Sequence, residues 1–258
     1  MKKKLITCLL FCLPIFAHAS GDAHLEKADI NLENKSSLRH GAKLFVNYCL
    51  SCHSAGYMRY NRMAKDLDLT EDQVEENMMF IANFDKLEEG EAAKIGNLMT
   101  VAMRKKDSEK YFGAPAPDLT VIARARGADY LYTYLTTFYL DEKRPFGVNN
   151  TTFDKVAMPH VLWQLDGLKK RVAKKDADGK VMKNEKGHEI TELVRVTEGS
   201  ISDAEYKRTV TDLVNFMVYM GEPIQLERQR IGIFVMFFLL IFFVIAYLLK
   251  KEYWKDVH

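Results

Sequence analysis

The most apolar stretch of the chain lies close to its C-terminus. Residues 231–249 contain no charged side chain and are apolar on every face of a helix. At about 1.5 Å per residue they extend about 28 Å, which matches the hydrocarbon thickness of a bilayer. Three lysines follow in the short tail 250–258, and basic residues concentrate on the cytoplasmic side of membrane proteins. The pattern predicts one transmembrane helix with a cytoplasmic tail.

Residues 1–19 contain a second apolar run of a different kind. Lys2, Lys3 and Lys4 precede a short apolar core, and Ala17-His18-Ala19 follows it. This combination is typical of an export signal peptide that is cleaved before Ser20. The signal peptide and the transmembrane helix predict the same orientation in a cell inner membrane, with the intervening residues outside the cytoplasm. Residues 20–230 are therefore predicted to form a domain in the periplasm.

Helical periodicity dominates this exported domain, which is predicted to be mainly α. Thr70 with Gln73, and Ser202 with Glu205, form capping boxes that mark helix starts. Asp129 is predicted to cap a helix rich in aromatic residues. The predicted helices cover about 37–49, 71–82, 91–105, 130–139 and 203–220.

Residues 169–197 differ sharply in composition from the rest of the domain. The segment is highly charged, and Asp178-Gly179 and Lys186-Gly187 are turn signals. Apolar and polar residues alternate near its end, as in a strand. We predict a surface β-hairpin or a mobile insertion and assign it no function.

Charge excludes one class of partner. The chain has 37 basic and 35 acidic residues, and 48% of its residues are hydrophobic. Without the three leader lysines and the three basic and two acidic residues of the tail, 31 basic residues face 33 acidic ones. This slight negative charge excludes nucleic-acid binding on electrostatic grounds. Acidic residues concentrate between Glu71 and Glu91, which favours a solvated helix face over a docking patch for a basic partner.

The most specific chemistry belongs to Cys49-Leu50-Ser51-Cys52-His53. In a C-x-x-C-H run two thiols attach a haem covalently, and the imidazole ligates its iron. Zinc sites and redox dithiols also use C-x-x-C. Zinc would need two more ligands, but cleavage of the leader removes Cys8 and Cys12, and the histidines are scattered. Two free thiols in an oxidising compartment would form a disulfide, so capture by haem explains this isolated pair best.

A six-coordinate haem needs a second axial ligand, and both Met158 and His160 are candidates. Met158 precedes a proline in a non-helical turn that can hold a thioether pointing inward, whereas Met99 and Met103 are explained as helix core. The two prolines of the loop 113–120 predict a rigid wall for a flat cofactor. Arg124 and Arg126 follow this loop, and an arginine suits a propionate carboxylate.

With these motifs the chain resembles the cytochrome c1 family in its proteobacterial form. That family supplies the haem subunit of the quinol:cytochrome c oxidoreductase, or cytochrome bc1, complex. The resemblance covers nearly the whole mature chain and rests on NYCLSCHSAGYMRYNRM, APAPDLTVIARARGADYLYTYL, AMPHVL and MGEPIQLERQRIG. It implies a class I cytochrome c core in which Gly41 permits a close helix crossing. The family usually has adjacent prolines where Ala116 here separates Pro115 from Pro117.

The resemblance implies a role for each of seven residues. One haem c would be attached covalently by Cys49 and Cys52, with His53 as the proximal ligand and Met158 as the distal one. Pro117 would line the haem pocket, Arg126 would approach a propionate, and Tyr130 would lie near the haem.

The same resemblance implies an electron carrier rather than an enzyme. The chain would take one electron from the Rieske iron-sulfur protein and pass it to a cytochrome c, while quinol oxidation takes place on cytochrome b. The family assembles in the membrane as a dimer of complexes. The sequence leaves open a free membrane-anchored electron shuttle, and a haem peroxidase, which needs an open distal position.

Overall fold

A computed structural model describes residues 25–80, 94–101 and 103–256 of the protein. The predicted leader 1–19 lies outside the described residues, as do Glu88, Glu89 and Glu91 of the acidic cluster. The helices of this part are α1 (Lys35–Leu44), α2 (Tyr60–Asp66), α3 (Glu71–Met78), α4 (Lys105–Phe112), α5 (Ile122–Arg126), α6 (Ala128–Thr136), α7 (Trp163–Asp166), α8 (Asp203–Gly221) and α9 (Gln225–Tyr253). The strands are β1 (Ala55–Arg59), β2 (Leu98–Met99), β3 (Phe138–Leu140), β4 (Val148–Asn150), β5 (Gly167–Ala173) and β6 (Thr191–Glu198).

The core is organised around the crossing of α1 and α8. Gly41 lies at the crossing, because a Cβ atom added there would collide with the Asp212 carbonyl oxygen and the Phe216 Cβ atom. The rings of Phe45 and Phe216 pack beside it with their centroids 5.7 Å apart. The predicted close helix crossing is therefore confirmed, and α1 continues as a π-helical turn over Phe45–Cys49.

Both predicted capping boxes are present. The Thr70 hydroxyl accepts from the Gln73 amide at the start of α3, and the Ser202 hydroxyl accepts from the Glu205 amide at the start of α8. The acidic side chains at the start of α3, beginning with Glu71, are exposed, as a solvated helix face requires. Docking of a basic partner on this face stays the less favoured, untested alternative.

The predicted helix over 91–105 is wrong in its described part. Leu98–Met99 forms β2, which pairs antiparallel with β1, and the Asn97 carbonyl accepts from the Tyr60 amide at 3.2 Å. Met99 is fully buried, but as a strand residue rather than as helix core. Pairing with a strand distant in sequence outweighs local helix propensity here. A helix then begins at Lys105, where the predicted one ended.

The aromatic helix α6 differs from its prediction at both ends. Asp129 lies inside its first turn rather than at the cap, and its carboxylate accepts from the Ala28 amide at 2.8 Å. The helix ends at Thr136 because the chain then enters β3, whose residues pair with β4. Asp129 thus ties the N-terminal arm to the domain instead of starting a helix.

The charged segment forms the predicted hairpin. β5 and β6 pair antiparallel from Gly167 with Glu198 to Ala173 with Thr191, and the residues between them are mostly exposed. At the base of the hairpin the fully buried Asp166 carboxylate faces Lys169 Nζ at 2.6 Å, His160 Nε2 at 3.2 Å and Arg195 Nη2 at 3.8 Å.

The α9 helix leaves the domain. Its most apolar window has a mean hydropathy of 3.0, and none of that window is buried against the rest of the described chain. Its 29 residues extend about 44 Å, longer than a bilayer core, so its charged first turns can lie outside the predicted span 231–249. In length and composition α9 can cross a membrane.

Candidate haem site

The C-x-x-C-H segment forms a tight turn at the C-terminal end of α1. The amides of Cys52 and His53 both donate to the Cys49 carbonyl oxygen, at 3.1 and 2.8 Å. The Leu50 amide closes the preceding π-helical turn by donating to the Phe45 carbonyl oxygen at 3.0 Å. The turn brings the side chains of Cys49, Cys52 and His53 to the wall of one cavity.

This cavity has a volume of about 330 Å³, within the range of ~300–1,000 Å³ that is usual for ligand sites. Its walls are mostly aliphatic and aromatic side chains from the π-helical turn after α1, from α4, α5, α6 and α8, from the proline loop before α5 and from the loop after β4. All seven residues singled out in the sequence line it: Cys49, Cys52, His53, Pro117, Arg126, Tyr130 and Met158. Their convergence is a property of the fold, since they span more than a hundred positions of sequence.

The imidazole of His53 is held in one tautomer. Its Nδ1 atom lies 2.8 Å from the Pro117 carbonyl oxygen. Because a carbonyl can only accept, Nδ1 carries the proton and Nε2 keeps a lone pair for a metal. Burial lowers the pKa of His53, although the Pro117 carbonyl and the Asp118 carboxylate act in the opposite direction. The ring is therefore held in the neutral form that ligates iron.

Asp118 fixes the loop that supplies this carbonyl. Its carboxylate accepts from the Gly56 amide at 2.7 Å and from the amide and hydroxyl of Thr120 at 2.8 and 2.6 Å. The Leu119 amide donates to the Ser54 carbonyl oxygen at 2.8 Å. Through Asp118 and Leu119, the proline loop is thereby bonded to Gly56 and Ser54 in the segment after His53.

The two thiols differ in their surroundings. Burial raises the pKa of the Cys49 thiol to about 12, and the neighbouring Cys52 adds to this shift. Cys49 is therefore an uncharged thiol at neutral pH. Neither cysteine takes part in a disulfide, so both sulfur atoms can form thioethers.

The Met158 thioether lies across the fold on the loop that follows β4. The Tyr134 hydroxyl donates to Met158 Sδ at 3.5 Å. Burial raises the pKa of Tyr134, and Tyr130 raises it further, so the hydroxyl keeps its proton. The rings of Tyr130 and Tyr134 stack with centroids 6.2 Å apart and form an aromatic wall.

The structure separates the two candidates for the second ligand. His160 does not line the cavity, whereas Met158 does. The His160 ring is buried, stacks on Phe138 with centroids 4.8 Å apart and contacts Asp166. His160 is therefore a buried packing residue against Phe138 and Asp166.

The two arginines of the R-x-R pair lie in different places, and only Arg126 is at the cavity. Arg126 lines the cavity, and its guanidinium lies 5.6 Å from the centroid of the Tyr130 ring. Arg124 turns away and lies 3.9 Å from the Glu222 carboxylate near the start of α9. Arg126 is thus the arginine placed to meet an anionic group at the cavity.

These residues fit a haem. The cavity brings together two thiols, a neutral imidazole with a free lone pair, a thioether, an arginine and apolar walls. Cys–His pairs with Met as the opposite ligand are the donor set of c-type cytochromes. Large apolar walls suit the faces of a porphyrin, and the arginine suits a propionate.

Comparison with known proteins settles the family. The model of the cytochrome c1 family matches residues 30–257. The chain is 47% identical over 259 residues to a cytochrome c1 of Allochromatium vinosum, and the match covers 100% of both chains. The chain belongs to the cytochrome c1 family.

Other matches cover similar lengths. The chain is 45% identical over 256 residues to an ammonia monooxygenase gamma subunit of Nitrosomonas europaea, covering 99% of this chain and 98% of that protein. A chain of a hyperthermophilic respiratory complex III aligns with 100% of this chain and 97% of its own length, with a TM-score of 0.43 and 18% identity.

Membership of the cytochrome c1 family defines the general activity. The chain is an electron-transfer subunit of a bc1-type complex, and a haem is the cofactor of the family. This favours a subunit of a complex over the free anchored shuttle that the sequence left open.

Several residues that shape the site receive no specific role from the sequence. Asp118, Tyr134, Asn150 and Arg144 act through contacts with backbone atoms or with Met158. The sequence predicts Tyr134 only as one of the aromatic residues of the helix over 130–139, without a specific partner. A side chain that binds a carbonyl or amide distant in sequence follows no motif, so such partners emerge from the fold alone.

Proposed function

We propose that the chain relays one electron from a Rieske iron-sulfur protein to a cytochrome c through a single, covalently attached haem c. The observation that carries this proposal is the convergence of the C-x-x-C-H turn and Met158 on one apolar cavity. Haem supplies reversible one-electron chemistry at its iron when bound.

The protein residues would retain and orient the cofactor. Cys49 and Cys52 would hold it through two thioethers, so that it cannot dissociate. His53, whose Nδ1 donates to Pro117, would present Nε2 as the proximal ligand. Met158 would present its sulfur as the distal ligand, supported by the Tyr134 hydroxyl. A thioether ligand in a dry cavity favours the ferrous state and a high reduction potential.

The remaining predicted residues would complete the pocket. Pro117 and Tyr130 would form walls that exclude water, and Arg126 would pair with a propionate. Beside the Tyr130 ring, the Arg126 charge meets a π-face within cation–π range, which helps to hold its position. Because Ala116 separates two prolines that are usually adjacent in the family, the local wall of the pocket would differ from that of relatives.

We place the haem domain in the periplasm, attached to the inner membrane by residues 231–249. The lysines of the tail would lie in the cytoplasm, and the signal peptide 1–19 would be removed on export. Cytochrome b would be the membrane partner, and the complex would be a dimer. Quinol oxidation would take place on cytochrome b, so this chain carries electrons without catalysing a bond change of its own.

A purification tests this proposal. The full chain with a C-terminal tag is extracted in mild detergent, and its denaturing gel is stained for covalent haem and probed for partners. A haem-positive band that brings a b-type cytochrome and an iron-sulfur protein with it is the expected result. A haem-positive band without these partners contradicts the assignment to the complex, and a band without covalent haem contradicts the cofactor assignment. Monooxygenase subunits in place of cytochrome b would point to a different complex.

A further inference from the structure

The loop that carries Met158 follows two buried asparagines. Asn149 and Asn150 end β4, and their side chains are 4% and 1% exposed. A buried amide is costly unless its polar atoms are hydrogen-bonded. Neighbouring side chains of a strand point to opposite faces, so the two amides bind different parts of the chain segment that follows. Both make hydrogen bonds to the loop 151–158.

Asn150 joins this loop to α6. Its Oδ1 accepts from the amides of Thr152 at 2.8 Å and Phe153 at 3.1 Å. Its Nδ2 donates to the Tyr134 carbonyl oxygen at 2.7 Å. One amide group therefore binds the start of the loop and the helix that bears Tyr134.

Tyr134 also contacts the other end of the same loop, at Met158. Its hydroxyl donates to Met158 Sδ at 3.5 Å, while its carbonyl oxygen accepts from Asn150. Helix, strand, loop and thioether thus form a closed circuit of contacts. Movement at any link of the circuit changes the position of the sulfur relative to the cavity.

The middle of the loop is held by two further groups. Asn149 Oδ1 accepts from the Lys155 amide at 2.9 Å, and Arg144 Nη2 donates to the carbonyl oxygens of Lys155 and Val156 at 2.7 and 3.1 Å. Lys155 has a φ angle of 59°, a conformation that a residue with a side chain adopts only when its surroundings impose it. Val156 is buried against Phe138 and Val148. The loop is therefore built to keep one shape.

We propose that Asn150 is a positioning residue for the axial thioether of Met158. It holds the loop and the helix in register, so that Met158 Sδ stays within reach of the Tyr134 hydroxyl and directed at the cavity. The inference rests on the proposed role of Met158 as the distal ligand. Loss of an outer partner of a metal ligand typically costs ~10–100-fold in metal affinity or activity, and we take this range as the expected size of the effect.

The test compares three variants of the full-length, haem-loaded protein in detergent. Asn150→Ala removes all the bonds of the amide. Asn150→Asp, examined at pH 8 so that its carboxylate is ionised, has the same shape and keeps the acceptor for the two loop amides, but loses the donor to Tyr134. Asn184→Ala is the matched control, because Asn184 Oδ1 also accepts from two turn amides, at 3.0 and 2.9 Å, but in the exposed hairpin. Covalent haem content and the unfolding midpoint are measured for each.

Two readouts report on the thioether itself. The ferric protein is examined for the weak long-wavelength absorption band of methionine-to-iron ligation, and the ferrous protein is titrated with carbon monoxide, which competes with the thioether. We expect Asn150→Ala to lose most of the band and to bind carbon monoxide ~10–100-fold more tightly. Asn150→Asp should fall between it and wild type, and Asn184→Ala should match wild type.

The possible results distinguish a failure of the role of Asn150 from a failure of the Met158 ligand assignment. A wild-type protein without the methionine band would overturn the ligand assignment of Met158 and this inference with it. A wild-type band that persists unchanged in Asn150→Ala would overturn only the role of Asn150. If Asn150→Ala does not accumulate, Asn150→Asp decides: wild-type carbon monoxide affinity there contradicts the inference, and intermediate affinity supports it.

Discussion

Replacing Gly41 with alanine should weaken the packing of the whole haem domain. At the crossing of α1 and α8 an added Cβ atom would lie 2.7 Å from the Phe216 Cβ atom and closer still to the Asp212 carbonyl oxygen. The oxygen belongs to the backbone of a helix and cannot rotate away as a flexible side chain could. The two helices must therefore separate to admit the methyl group.

The size of the effect follows from two opposing contributions. Alanine in a helix interior is favoured over glycine by ~1 kcal/mol. Overpacking of a core costs ~1–3 kcal/mol, and contact with a rigid backbone atom places Gly41 at the upper end. The ring contact of Phe45 with Phe216 would also be disturbed. The net loss of about 2 kcal/mol corresponds to a fall of ~4–8 °C in the unfolding midpoint of a domain of this size.

Thermal unfolding of the haem-loaded protein, followed by circular dichroism, measures this effect. Gly232→Ala is the control, because it replaces another helical glycine whose added methyl group meets nothing within 4 Å. We expect the control to leave the midpoint of the domain unchanged. A Gly41→Ala protein as stable as wild type would refute the close crossing of α1 and α8.

Three further predictions concern the surroundings of the site. Asp166→Asn leaves the Lys169 ammonium without its carboxylate partner, while Arg195 keeps its contact with Asp203, and should cost ~3–5 kcal/mol in denaturant unfolding. Removal of the exposed Glu198 carboxylate should cost less than ~1 kcal/mol, and equal costs would contradict the buried cluster. Hydrogen bonds from Ser202 hold the pKa of Glu205 below its usual 4.5, so this contribution is present above that pH and is lost as the pH falls through the lowered value. Ser202→Ala should therefore flatten the decline in unfolding midpoint below pH 4.5, and an unchanged acid profile would contradict the capping box. Replacing 174–190 with a two-residue Asn-Gly turn should leave haem content and the absorption spectrum unchanged, because no residue of that segment lines the cavity; a changed spectrum would show that the hairpin supports the site.

Features set by local chemistry were predictable from the sequence. The capping boxes at Thr70 and Ser202 need residues only three positions apart, and both are present. The hairpin follows from alternation and turn residues, and the apolar helix from its length. Gly41 was predicted at a helix crossing through the family resemblance, and the collision of its added Cβ atom shows why glycine is needed there.

Features set by distant contacts were not predictable in the same way. The segment around Met99 is a strand because β1 is its partner, and Asp129 binds the arm rather than capping a helix. Sequence position suggested that Met158 and His160 were both candidates for the distal position. Their separation depends on Phe138 and Asp166, which hold the His160 ring away from the cavity.

The site also combines features that local sequence predicts with features that depend on distant contacts. The C-x-x-C-H spacing identifies a haem turn from sequence alone, since its chemistry lies within five residues. The tautomer of His53 depends on the Pro117 carbonyl, and the position of Met158 depends on Asn150 and Tyr134. These partners lie far apart in the sequence, and the contacts of Pro117 and Asn150 involve backbone atoms, so no residue pattern reveals them.

The measurement that tests the central claim most directly is a redox titration of wild-type protein beside Met158→Lys. Both are purified with covalent haem, and Met182→Lys, in the hairpin, serves as the control for an added charge. If Met158 is the distal ligand, exchange of a weakly basic thioether for an amine lowers the reduction potential sharply and removes the methionine band. A Met158→Lys protein with the potential and spectrum of wild type would show that the iron takes its sixth ligand elsewhere, and would contradict this account of the site.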